Sequence, residues 1–179
     1  RYVHLNELAT HHGIDPAKFS RGIGQEKIAL PNADEDIVTM AAEAALPIVE
    51  RVGVESIDTV LFATETGIDQ SKAAAIYVHR LLGLSPNCRC VELKQACYSA
   101  TAALQMAASY VARKPSRKVL VIASDVARYD LGSSGEATQG AGAVAILVSS
   151  EPKIAEIGTA SGLYPEDCLE IWRPKHRPT

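Results

Sequence analysis

The sequence lacks an excess of positive charge. Its 18 lysines and arginines are scattered among 21 aspartates and glutamates, which leaves a formal net charge of -3. A protein that binds a nucleic-acid backbone usually presents a basic patch or stripe. We therefore expect no nucleic-acid partner.

Long apolar runs are also absent. No run approaches the roughly 20 residues that a helix needs to cross a bilayer. The first residues do not show the charged and then apolar order of a signal peptide. The sequence predicts a soluble, cytoplasmic protein without a membrane partner. Its 47% hydrophobic and 22% charged residues are typical of one globular domain with a sizeable core.

Four cysteines are too few for a disulfide scaffold in a domain of this size. Cys88 and Cys90 are two positions apart on a predicted strand, so their side chains should lie on one face. A zinc site would need two residues between the members of a pair and a second pair elsewhere. We expect no metal ion. The stretch GAGAVA, Gly140 to Ala145, precedes a strand-like run and does not open a helix, so it would not form a dinucleotide cradle, and we expect no permanently bound cofactor.

The order of the predicted elements indicates an α/β fold. Short helices in the first thirty residues lead into a long helix over residues 34–53, in which Pro47 should produce a kink or limit the regular length. Strands and helices then alternate, which favours a parallel sheet covered on both faces. The three strand-like runs of this part are IDTVLFA, CRCVEL and KVLVIAS.

The alternation ends beyond Gly135. The runs GAVAILVSS and KIAEIG are separated only by Glu151 and Pro152, which predicts an antiparallel hairpin between them. The expected sheet is therefore mixed and mostly parallel, and it lies between layers of helices.

The three predicted strands each lead to a reactive or polar side chain. The first leads to Glu65, the second to Cys97 and the third to Asp125. Tyr129 follows Asp125 by one turn. Ligands of open parallel sheets bind beyond the carboxyl ends of the strands, so we expect these side chains to form a site.

Each of the three residues has an alternative interpretation. Cys97 precedes a predicted alanine-rich helix, whose amino terminus would favour the thiolate of a nucleophile, but many cysteines are merely small buried hydrophobes. Partial burial would suit Glu65 to proton transfer, or it is an ordinary carboxylate at a strand end. Asp125 is either part of the site or a cap for a following helix.

Three stretches resemble the 3-hydroxy-3-methylglutaryl-coenzyme A synthase family of the thiolase superfamily. The resemblance implies a thiolase-like α/β fold of two similar halves, assembled as a homodimer. Residues 1–179 would be the N-terminal half, and the C-terminal half would be absent from this chain. The stretches are ATETGIDQSKA around Glu65, ELKQACYSATAAL around Cys97, and ASDVARYDLGSSGEATQGAGAVAIL from Ala123 to Leu147.

The resemblance also implies a chemistry for these residues. Cys97 would accept the acetyl group of acetyl-coenzyme A, and Glu65 would act as general base and acid while that group condenses with an acetoacetyl thioester. Asp125, Tyr129 and Thr138 would bind substrate. The family's catalytic histidine has no counterpart here and would lie in the second half.

The type of substrate carrier stays open. One hypothesis is a synthase of the mevalonate pathway that uses acyl-coenzyme A substrates. The other is the polyketide β-branching subgroup, which acts on intermediates tethered to an acyl carrier protein. Another acyltransferase of the thiolase superfamily and a non-enzymatic scaffold are the remaining alternatives.

The chain departs from the family pattern directly after the candidate nucleophile. Many members have an aromatic residue followed by Gly-Gly or Gly-Ala, whereas this chain has Tyr98, Ser99 and Ala100. We expect the additional hydroxyl group of Ser99 to restrict how closely the backbone can approach at this point. Glu170 also stands where animal relatives usually carry aspartate.

Overall fold

The computed structural model describes residues 1–169 and Trp172, so that Glu170 lies outside the described residues. The first elements form a small lobe. Two antiparallel strands, β1 (Tyr2–His4) and β2 (Lys27–Ala29), flank the helices α1 (Leu5–His12) and α2 (Ala17–Ser20). The helices agree with the prediction. The three-residue strands are too short to produce an alternating pattern that could have been recognised.

Helix α3 (Ile37–Val52) begins at a capping box. The side chain of Asp36 accepts hydrogen bonds from the backbone N–H groups of Val38 and Thr39 at 2.9 and 2.8 Å, and the Thr39 hydroxyl accepts one from the N–H of Asp36 at 2.8 Å. The helix continues through Pro47, so this residue does not limit its length. Pro47 is exposed, and water can therefore bind the carbonyl oxygen that its missing N–H leaves unpaired.

Four further strands form a mixed sheet in the order β4-β3-β5-β6. Strand β3 pairs in parallel with both β4 and β5, and β6 pairs with β5 in the antiparallel direction. The expected mixed and mostly parallel sheet is confirmed. The strands are β3 (Thr59–Ala63), β4 (Arg89–Leu93), β5 (Val119–Ala127) and β6 (Gly140–Val148).

Two details of the predicted sheet are wrong. Strand β6 pairs with β5 along its whole length, whereas residues 153–158, which the structure does describe, form no strand. Ile154 in that segment is fully exposed. The pairing with β6 also extends β5 to Ala127, so Asp125 lies inside a strand and caps no helix.

Helices cover both faces of the sheet. Helices α3 and α4 (Ala75–Leu81) pack against one face, which includes Val60 and Phe62 of β3. Helix α5 (Ser99–Arg113) packs against the other face, which includes Leu61. The buried side chains of α5 are mostly small, which permits close approach to the sheet. In the part of the chain that the structure describes, no helix has the length and apolar character needed to span a bilayer.

We expect the substitution Asp36→Ala to lower the free energy of unfolding by about 1 kcal/mol, because two backbone N–H groups at the start of α3 would lose their acceptor. Urea denaturation measures this change. The matched control is Asp34→Ala, which removes an exposed carboxylate shortly before the cap. Equal destabilisation by the two substitutions would contradict the capping role.

Candidate active site

Cys97 lies in a tight turn between β4 and α5. The preceding residue, Ala96, has a φ of 43°, the only positive φ among the described residues other than glycine. The N–H of Tyr98 donates to the carbonyl oxygen of Gln95 at 3.0 Å. The buried Ser99 hydroxyl accepts a hydrogen bond from the N–H of Gln95 at 2.6 Å and donates one to the carbonyl oxygen of Ala96 at 2.9 Å. The serine that departs from the family pattern therefore closes the turn that presents Cys97.

The thiol of Cys97 faces the carboxylate of Glu65. Cys97 Sγ donates a hydrogen bond to Glu65 Oε1 over 3.5 Å. Cys97 is exposed and Glu65 is half-buried, so this contact lies at the protein surface. Two side chains that the strand order predicts to be neighbours are thus in contact, while their catalytic roles stay predictions.

The electrostatics of Cys97 differ from the expectation. The hydrogen bond to Glu65 and the negative charge of that carboxylate raise the pKa of the Cys97 thiol above its usual value. The predicted preference for the thiolate is wrong, because a carboxylate faces the sulfur. The raised pKa favours the thiol, which donates its proton to this hydrogen bond.

Asp125 holds the loop that carries Glu65. One oxygen, Oδ1, accepts hydrogen bonds from the Thr64 hydroxyl at 2.7 Å, the Glu65 N–H at 2.8 Å, and the N–H and hydroxyl of Thr66 at 3.0 and 2.8 Å. The Thr66 hydroxyl accepts a further hydrogen bond from the N–H of Val126 at 3.2 Å. Asp125 therefore positions Glu65, a role that the sequence did not predict. Its contact with substrate stays a prediction.

Tyr129 and Thr138 meet at Gly135, in the loop between β5 and β6. The Thr138 hydroxyl donates to the carbonyl oxygen of Gly135 at 2.8 Å. A Cβ atom at Gly135 would lie 3.2 Å from Tyr129 Cγ, so the ring packs directly on the glycine. Thr138 is exposed and Tyr129 is half-buried. Both residues contact Gly135, and their substrate-binding roles stay predictions.

Sequence reasoning missed two buried or half-buried carboxylates near these loops. Glu136 is only 5% exposed. Its Oε2 accepts the N–H of Gly132 at 2.7 Å and lies 3.0 Å from His12 Nε2 of helix α1, so it links the loop to the first lobe. Glu92 Oε2 accepts the N–H of Ala74 at 2.7 Å. The sequence places Glu92 near the end of an apolar strand, and this position could have marked it as a candidate.

The site shows no arrangement for a metal ion. Within residues 1–169 and Trp172, no three histidine, cysteine, aspartate or glutamate side chains lie close enough together to hold one. A thiol beside a carboxylate can take part in acyl transfer to sulfur and in proton transfer to and from oxygen.

The fold is shared with a solved structure of HMG-CoA synthase complexed with coenzyme A. The TM-score is 0.96 at 43% sequence identity, over 99% of this chain and 46% of that chain. The architecture is therefore thiolase-like. The family profile described as hydroxymethylglutaryl-coenzyme A synthase N terminal matches residues 1–153. This chain belongs to the hydroxymethylglutaryl-coenzyme A synthase family.

Curated relatives include both kinds of synthase that the sequence left open. A hydroxymethylglutaryl-CoA synthase of Enterococcus faecalis is 48% identical over 177 residues, which is 99% of this chain and 46% of the relative. The polyketide biosynthesis 3-hydroxy-3-methylglutaryl-ACP synthase PksG of Bacillus subtilis is 38% identical over 190 residues, 97% of this chain and 45% of the relative. The chain thus spans less than half the length of these relatives.

We expect Glu65→Gln to shift the pH dependence of Cys97 alkylation to lower pH. The substitution removes the negative charge that raises the pKa of the thiol, so the reactive thiolate should form at lower pH. The rate of iodoacetamide labelling at Cys97, followed by peptide mass spectrometry across pH, measures the shift. Glu55→Gln is the control, and an unchanged profile for Glu65→Gln would refute the electrostatic cause.

We expect Asp125→Asn to lower the free energy of unfolding by about 1–3 kcal/mol. An amide oxygen can replace Oδ1 in shape, but hydrogen bonds to a neutral acceptor are weaker than those to a carboxylate. Denaturant titration measures the loss, with Asp34→Asn as the exposed control. A loss no larger than that of the control would show that the four hydrogen bonds do not depend on the charge.

Proposed function

We propose that this chain forms the nucleophile-bearing half of an acyltransferase that condenses an acetyl group with an acetoacetyl thioester, as a hydroxymethylglutaryl-CoA synthase does. The contact of 3.5 Å between Cys97 Sγ and Glu65 Oε1 carries this proposal. Condensation needs a sulfur that holds the acetyl group and a base that reaches its methyl carbon. A thiol and a carboxylate in contact meet both needs.

The first step is transfer of the acetyl group to Cys97. Sulfur attacks the carbonyl carbon of acetyl-coenzyme A, a new thioester forms on Cys97, and the thiolate of coenzyme A leaves and takes up a proton. The raised pKa keeps the proton on Cys97 in the resting site. The proton that the sulfur gives up goes to the departing thiolate of coenzyme A, so Glu65 remains ionised for the second step.

The second step forms the carbon–carbon bond. Glu65 removes a proton from the methyl group of the acetylated Cys97, and the resulting enolate attacks the ketone carbon of the acetoacetyl thioester. The alkoxide that forms takes up the proton that Glu65 removed, which returns Glu65 to its ionised form. Water then cleaves the thioester and releases the product from Cys97. Proximity favours the proton transfer, and the backbone N–H of Cys97 is a candidate donor to the enolate oxygen.

Free coenzyme A is the first candidate for the substrate carrier. The relative named as a CoA synthase shares 48% identity with this chain, against 38% for the relative named as an ACP synthase. The second candidate is an acyl carrier protein.

The proposal further includes binding of substrate by Asp125, Tyr129 and Thr138, and no permanently bound cofactor. It also includes a homodimer and a second half that supplies a histidine, which rest on the family resemblance, and a cytoplasmic location, which rests on the sequence pattern.

We expect the full-length protein to become acetylated on Cys97 when it is mixed with acetyl-coenzyme A. Glu65→Gln should retain this acetylation, since loss of the nearby charge favours the thiolate, but should condense about 10²- to 10⁴-fold more slowly because the methyl proton lacks a base. Intact mass, peptide mapping and a condensation assay measure the two steps.

Cys97→Ala is the control, and it should show neither acetylation nor condensation. Label on Cys88, Cys90 or Cys168 with none on Cys97 would overturn the assignment, as would condensation by Glu65→Gln at the parental rate. Parallel assays with acetyl-coenzyme A and with an acetylated carrier protein distinguish the two carriers by their relative rates of Cys97 acetylation.

A further inference from the structure

The loop over residues 64–74 must hold Glu65 at a constant distance from Cys97. It leaves β3 after Ala63 and ends where α4 begins. Asp125 binds only its first residues, Thr64 to Thr66. The remainder of the loop needs a second anchor if Glu65 is to keep its orientation.

Glu92 contacts this remainder at two points. It lies on β4 opposite Phe62 of β3. Its Oε2 accepts the N–H of the fully buried Ala74 at 2.7 Å. Its Oε1 lies 2.7 Å from the position that a Cβ atom of residue 67 would occupy. One carboxylate therefore touches the loop in its middle and at its end.

Gly67 lies beside the Glu92 carboxylate and has no side chain that would compete with it for space. Gly67 does not have a positive φ, so backbone conformation does not require a glycine there. A Cβ atom at this position would lie 2.7 Å from Glu92 Oε1, so the Glu92 carboxylate would have to shift. Gly67 therefore leaves the space that the Glu92 carboxylate occupies.

The location of Glu92 makes an unpaired carboxylate costly. By alternation it shares a face of β4 with Cys90, which packs against the apolar core formed with α3 and α4. A half-buried carboxylate on this face loses contact with water and needs donors from the protein. The N–H of Ala74 is such a donor, so the side chain and the loop constrain each other.

We infer that Glu92 is a positioning residue for the condensation, because its carboxylate binds Ala74 and occupies the space above Gly67 and thereby fixes the loop that carries Glu65. It acts through Glu65 and does not touch the substrate. Glu92 and Asp125 stand on the two strands that flank β3, and together they hold the loop along its length. This inference rests on the proposed function.

The kinetic test compares two steps in the full-length protein. For Glu92→Ala we expect removal of methyl protons, measured as deuterium uptake by the acetyl group on Cys97, to slow by about 10- to 100-fold, because a small displacement of a base is costly. The rate of Cys97 acetylation should stay within about twofold, since the turn at Cys97 has its own hydrogen bonds. Glu92→Gln should restore most of the exchange rate, because an amide oxygen can accept the N–H of Ala74.

Glu50→Ala removes an exposed carboxylate from α3 and serves as the control. An equal loss of acetylation and exchange in Glu92→Ala would indicate general damage to the structure and would overturn the inference. An exchange rate equal to that of the parent would overturn it as well. If the parent is not acetylated on Cys97 at all, the proposed function fails, and the positioning role fails with it.

A double-mutant cycle tests the contact without reference to activity. Gly67→Ala should destabilise the parent, because the new methyl group displaces the Glu92 carboxylate. In the Glu92→Ala background the same methyl group has room, so the unfolding free energies of the two substitutions should not add. Additive values from denaturant titration would show that the two residues do not interact and would overturn the inference even if Cys97 is acetylated.

Discussion

The hydrogen bonds that converge on Asp125 Oδ1 are the constraint on which the site depends. Strand β5 carries this oxygen beside the end of β3, and four donors from Thr64 to Thr66 meet it there. Because Asp125 is paired with Gly142 of β6, just beyond the last residue pair of β3 and β5, its position is set by the sheet. These hydrogen bonds fix the start of the loop to the rigid sheet. That loop in turn fixes the position of Glu65.

The same arrangement determines the protonation of the resting site. Carboxylates face the sulfur of Cys97 from Glu65 and, at longer range, from Asp125, and both raise the pKa of the thiol. A site of this kind stores the proton on sulfur until an acyl group arrives. Glu65 stays ionised while the acetyl group is transferred and can then remove a proton from its methyl carbon. It can do so only if it stays close to Cys97.

The strand-end argument predicted the positions of Glu65, Cys97 and Asp125 because parallel strands bring their carboxyl ends to one edge of a sheet. That rule needs only the order of strands and helices, which periodicity reveals. It cannot reveal the direction of a pKa shift, because the group that controls Cys97 lies 32 positions away along the chain. The hydrogen bonds of Glu92 were likewise hidden, since they depend on the path of a loop. The segment over residues 153–158 has a strand-like pattern and is predicted to pair with β6, but β6 pairs with β5, and periodicity alone does not identify the partner of a strand.

The left-handed backbone at Ala96 restricts how this chain can vary over evolutionary time. A β-branched side chain is poorly tolerated in that conformation, so valine and isoleucine are disfavoured immediately before the cysteine. Glycine would adopt it without strain but would also enlarge the set of conformations open to the unfolded and folded chain. Alanine is a compromise between these two costs. The neighbourhood of the sulfur is therefore limited by backbone shape as well as by reactivity, and substitutions that leave the chemistry untouched can still be selected against there.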